Sequence, residues 1–177
     1  MAREIPFGLK AGMLLTDFPT QMEEAAPGIL RLTVPKPHPE FPSYLGLIAP
    51  RSGLQWIKAI GKSIKTNSHG TALRASFDEF ANRLTKVYGK GRIDDILLDG
   101  ALFDQPHEFM KALDQGERVL CMTWDGRSRA TVEPPLASVC LSALSLDDET
   151  GFLAIEYELA DYGQARREIE AQQDDVL

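Results

Sequence analysis

Cysteine and histidine are scarce in this chain, with two of the first and three of the second among 177 residues. Two cysteines cannot make a disulfide framework. The histidines, at positions 38, 69 and 107, lack the short spacing of a local metal-ligand cluster, so neither a metal nor any other cofactor is expected. No run approaches the roughly 18 apolar residues of a membrane-crossing helix. The opening MAREIPFGLKAGMLL is interrupted by Pro6, Gly8 and Lys10 and has no apolar core of a secretory leader. A cytoplasmic location is therefore expected, with Cys121 and Cys140 as reduced thiols inside apolar strand-like runs. With 44% hydrophobic and 25% charged residues, the chain has enough apolar surface for its own core and is not disordered.

What is present is charge, unevenly placed. Residues 1–90 carry 12 Lys and Arg against 7 Asp and Glu, and residues 91–177 carry 7 against 19, so +5 is followed by −12. The net charge of −7 disfavours direct nucleic-acid binding, which needs a basic face. A strongly acidic second half suits solubility, and it also suits steering toward a basic partner.

Along the chain, Gly12 to about Glu24 predicts a short helix. Residues 28–34 alternate as a half-buried strand, and four prolines at 35, 37, 39 and 42 then make a stiff extended loop. Strands are predicted at 43–49 and 54–64, joined by a turn at Arg51-Ser52-Gly53. Leu73, Phe77, Phe80, Leu84, Val87 and Tyr88 recur at helical spacing, and Gly89 is placed to cap that helix. The second half predicts a helix at 106–114, strands at 117–124, 137–146 and 152–160, and a closing helix at 164–173. Each half, 1–90 and 91–177, thus reads as helix, three strands, helix. The expected fold is α+β: an antiparallel sheet of about six strands with helices on one face, built from two pseudo-repeats.

Gly12-Met13-Leu14-Leu15-Thr16-Asp17-Phe18 resembles the opening of a repeat in the β-lactamase inhibitor proteins and in the small outer-membrane assembly lipoproteins of the SmpA/OmlA type. Leu14 stands where those families have Thr, and Phe18 takes the apolar anchor position. The lipoproteins' signal and lipid-bearing Cys are absent. What the resemblance implies is a tandem-repeat sheet whose open face binds another protein.

No catalytic motif completes itself. Gly61-Lys62-Ser63 ends like a phosphate-binding loop, but Trp56 stands where the first glycine is required. His107-Glu108 has Lys111 where a zinc protease needs its second His. Cys121 sits within VLCMTW with no adjacent base, as a core thiol would. Glu156 and Glu158 share one face of a strand, opposite Leu153, Ile155, Tyr157 and Leu159, which reads either as a solvated outer face or as a partner-binding surface.

The functional expectation is a non-enzymatic bacterial inhibitor, concretely an immunity-type protein that blocks a basic toxin. Its predicted contact surface comprises Glu156, Glu158, Asp147, Asp148 and Glu149, with Trp124 as an aromatic anchor. The alternative is a small-molecule binder or an enzyme with its pocket between the halves, lined by Trp56, Tyr88, Phe103 and Trp124. A third reading is a homodimer paired through an exposed strand edge.

Overall fold

The computed structural model describes residues 4–19 and 21–175. In chain order the strands and helices are β1 (Glu4–Ile5), β2 (Leu9–Lys10), β3 (Glu24–Ala26), β4 (Ile29–Leu32), β5 (Ser43–Ala49), β6 (Gly53–Ile60), β7 (Ile64–Lys65), α1 (Thr71–Tyr88), β8 (Gly89–Lys90), β9 (Arg92–Leu97), α2 (Phe109–Asp114), β10 (Arg118–Trp124), β11 (Arg129–Ala130), β12 (Leu136–Asp147), β13 (Thr150–Leu159) and α3 (Tyr162–Asp174). The class is α+β. The principal sheet has nine strands rather than six, in the order β3-β4-β5-β6-β13-β12-β10-β9, with β7 beside β13. No helix is long and apolar enough to cross a membrane among the described residues.

The chain forms two compact units, 1–59 with 133–138 and 156–177, and 60–132 with 139–155. Each unit takes residues from both sides of position 90.

In the first unit, α3 packs Ala165 and Ile169 onto Leu47, Ala49 and Trp56. Tyr44 alternates with Leu45 and Leu47 along β5 and so points to the opposite face. There Phe7, held at a positive φ of 65°, sets its ring 4.7 Å from Tyr44 and 5.7 Å from Tyr157. Both faces of this part of the sheet are therefore covered, where an open face was expected.

The helix predicted over Gly12–Glu24 does not form among the described residues, which leave out position 20. Only Leu15–Asp17 makes a single 3-10 turn, closed by the Leu14 N–H donating to Asp17 Oδ2 at 2.8 Å. Gly12 and Met13 instead exchange backbone hydrogen bonds with Leu54, at 3.0 and 2.8 Å. The start of the segment is thus bonded to β6 and not continued into a helix of its own. Gly53 makes that approach possible: its φ is +67°, and a Cβ there would lie 2.2 Å from the Gly12 carbonyl oxygen.

Glu168 ties α3 to the β5–β6 turn. It is 7% exposed. Its carboxylate accepts from the N–H groups of Arg51 (2.9 Å) and Ser52 (3.1 Å), from the Ser52 hydroxyl, and from Gln164 Nε2 (3.2 Å). The Ser52 hydroxyl contributes most to holding this carboxyl at about 2, below its usual 4.5; burial opposes it, and the backbone N–H groups and Gln164 assist.

In the second unit, α1 buries Leu73, Phe77, Ala81 and Leu84, while Val87 stays exposed. Asn67 Oδ1 accepts from the Thr71 N–H (3.1 Å) and Thr66 Oγ1 from the Ala72 N–H (3.0 Å), capping the start of the helix. α2 buries Phe109, Met110, Ala112 and Leu113. Val139, Leu141 and Ala143 alternate as buried residues along β12. Residues 92–97, to which the sequence assigned no element, form the terminal strand β9, antiparallel to β10.

Two outcomes follow. Gly53→Ala should lower stability by about 2–3 kcal/mol in chemical denaturation, from the left-handed backbone and the clash together. Because the Glu168 carboxyl is depressed on folding, its contribution is complete above about pH 4.5 and lost as pH falls toward 2. Glu168→Gln should therefore be less stable at neutral pH, and its stability should vary less than the wild type's across that acidic window.

Candidate functional site

The acidic hairpin keeps its expected place. A two-residue turn, Asp148-Glu149, joins β12 to β13. Asp147 Oδ1 accepts the Glu149 N–H (2.9 Å), Ser145 Oγ donates to the Asp147 carbonyl (2.7 Å), and the Thr66 N–H donates to the Glu149 carbonyl (2.8 Å). These bonds fix the backbone of the tip while Leu146, Asp147, Asp148 and Glu149 remain exposed. Beside the tip lies a groove of about 580 Å³, lined by Lys65, Thr66, Asp114, Leu146, Asp147, Asp148, Glu149 and Thr150. Four carboxylates thus face it against one lysine.

The other predicted contact residues do not join that tip. Glu156 Oε2 accepts from Trp56 Nε1 at 3.2 Å, and its Oε1 lies 3.0 Å from Lys58 Nζ. Its charge is matched within the first unit. Glu158 is half-buried further along β13. Trp124 is 0% exposed and donates its Nε1–H to the Gly89 carbonyl at 2.9 Å. It is a core residue and cannot anchor a partner; an apolar run with a terminal Trp gives no sign of which residue reaches the surface. Of the ring set proposed for a ligand pocket, Trp56 packs beneath α3 in the first unit. Phe103 lies in the second unit beneath Lys111 Nζ, 4.9 Å from the ring centroid. Tyr88 is half-buried, and burial raises its hydroxyl pKa.

The remaining motifs resolve into local structure. The Gly61 N–H donates to the Leu153 carbonyl at 2.8 Å, so it is not offered to a phosphate. Cys121 and Cys140 are not joined in a disulfide and lie half-buried on adjacent strands. Contact with Cys140, then burial, pushes the Cys121 thiol well above its ordinary value, which disfavours a nucleophilic thiolate. The His69 and His107 rings come within 6.4 Å, centroid to centroid. No group of three or more His, Cys, Asp or Glu residues is arranged to hold a metal ion among the described residues.

A second polar constellation went unread in the sequence. Arg118 places Nε and Nη2 on Asp95 Oδ1, at 3.0 and 2.6 Å, and Arg74 Nη2 lies 3.5 Å from Asp95 Oδ2. Both guanidinium groups also stack on Phe109, 4.8 and 5.0 Å from its ring centroid. A cavity of about 540 Å³ opens here, with His69, Arg74, Asp78, Asp104, Phe109 and Arg118 in its wall. Its signal was hidden because Asp95 meets Arg118 only through the β9–β10 pairing, 23 residues apart in the chain.

Comparison with protein-family models, with curated proteins and with solved structures finds no match to this chain.

Asp95 holds the two arginines of this cavity in place. Asp95→Ala should cost about 1 kcal/mol in denaturant unfolding, the size expected for a partly solvated ion pair, and the difference should shrink as salt is added.

Proposed function

We propose that this is a non-enzymatic binding protein that receives a basic segment of a partner protein in the groove beside the β12–β13 tip. Inhibition of that partner, in the manner of an immunity protein blocking a toxin, is the concrete form of the reading. The observation that carries it is the concentration of Asp114, Asp147, Asp148 and Glu149 around one groove with a fixed backbone. Ordered carboxylates accelerate encounter with a cationic surface and select against acidic partners. Leu146, 55% exposed at the rim, supplies the apolar contact that Trp124 does not. Glu156 and Glu158 are no longer part of the contact surface in this reading, since Glu156 is matched by Lys58.

A second reading rests on the cavity at Arg74, Phe109 and Arg118, whose volume is in the range of small-molecule sites. Thermal-shift screening separates the two readings, because a ligand of that cavity would raise the melting temperature and a hairpin partner would not be found among metabolites.

The direct test of the first reading is purification from the native host at low ionic strength, followed by identification of any protein retained. A basic protein should be retained by the wild type and lost from a variant carrying Asp147→Lys, Asp148→Lys and Glu149→Lys, with affinity falling at least tenfold and the wild-type complex weakening as salt rises. Recovery of the chain with no second protein, or a complex indifferent to the triple variant, contradicts the reading.

A further inference from the structure

We propose that β9 is a self-pairing edge through which two copies of this chain associate. β9 is the last strand in the sheet order and pairs only with β10 along that order. Four of its six residues, Arg92, Ile93, Asp95 and Ile96, are exposed. Ile93 and Ile96 are 57% and 47% exposed, and Val119, opposite Ile96 on β10, is 41% exposed. The strand holds no proline or bulge, two common devices for keeping an edge from pairing, and its charges, Arg92, Asp94 and Asp95, are of both signs.

The hydrogen-bond phase identifies which residues offer the free edge. The Leu98 N–H donates to the Glu117 carbonyl at 2.8 Å, and the register continues through Ile96↔Val119 and Asp94↔Cys121. Hydrogen-bonded pairs alternate in an antiparallel ladder. Arg92, Asp94 and Ile96 thus direct their backbone groups at β10, and Ile93, Asp95 and Leu97 direct theirs outward.

Charge then selects the register. A two-fold axis at Asp94 or at Asp95 sets a carboxylate against its own copy, and one at Ile96 sets Asp94 and Asp95 opposite leucines. An axis at Ile93 sets Ile93 against Ile93 of the second copy, with both outward-facing backbones in bonding phase. It also places Arg92 opposite Asp94 of the second copy, twice. Within one chain Arg92 Nε and Asp94 Oδ2 already lie 3.4 Å apart on one face, so association exchanges one i,i+2 contact in each copy for two cross-strand pairs, and adds the apolar pair between them. The association is independent of the hairpin tip.

Sedimentation velocity over a concentration series tests this, together with a charge swap. The wild type should shift from monomer to dimer as concentration rises. Arg92→Asp alone and Asp94→Arg alone should each weaken the dimer about tenfold or more, because each sets like charges opposite one another twice. An equimolar mixture of those two variants should regain dimer, since every pair is again opposite in sign. Unchanged circular dichroism, and a melting temperature equal to the wild type's at concentrations where both are monomeric, establish that the fold is intact. A wild type that stays monomeric up to its solubility limit, single variants that dimerise like the wild type, or a mixture that fails to recover would each overturn the proposal.

Discussion

The β12–β13 hairpin sets the register on which the other elements depend. β12 has twelve residues and β13 has ten, and a turn of two residues joins them. Val139, Leu141 and Ala143 are buried on one strand and Leu153, Ile155, Tyr157 and Leu159 on the other. A slip of one residue would turn this set outward and bring Cys140, Ser142, Glu156 and Glu158 into its place. The two strands also contribute residues to both compact units. The turn of such a hairpin is its least buried point, and here it is built from Asp148 and Glu149, so the acidic tip stands on two strands whose register is fixed by burial.

Much of the negative charge in residues 91–177 is engaged within the molecule. Asp95 meets Arg118 and Arg74, Glu156 meets Lys58, and Glu168 receives two backbone N–H groups, a hydroxyl and an amide. Glu117 Oε2 accepts from the N–H groups of Leu102 and Phe103, ordering the loop after β9. The hairpin tip differs from these: its backbone is fixed, and the side chains of Asp148 and Glu149 remain exposed. That contrast, more than the total of −7, is what the proposed contact surface rests on.

Elements with one buried face were legible in the sequence. The stripe of α1, the strands β4, β5, β10, β12 and β13, and the closing helix α3 all follow from hydrophobic spacing. β9 escaped because Arg92-Ile93-Asp94-Asp95-Ile96-Leu97 has no apolar alternation: exposed residues occur at both odd and even positions, and Asp95 is held by Arg74 of α1 and Arg118 of β10. The segment at Gly12 misled because Met13, Leu14 and Leu15 look helical in isolation, while Gly12 and Met13 pair with Leu54 of β6 and Leu14 and Leu15 close only a single turn. Trp124 and Glu156 show the same gap at the level of single side chains. Alternation gives the face of a strand, but what covers that face comes from elements distant in the chain.

Amide hydrogen exchange on the free protein tests the central place of the hairpin. The slowest exchange is expected at Val139, Leu141, Ala143, Leu153 and Ile155, with faster exchange at the Asp148-Glu149 turn and in the short strands β1 to β3. A hairpin that exchanges as early as those short strands would contradict the account, because the acidic tip would then stand on a mobile support.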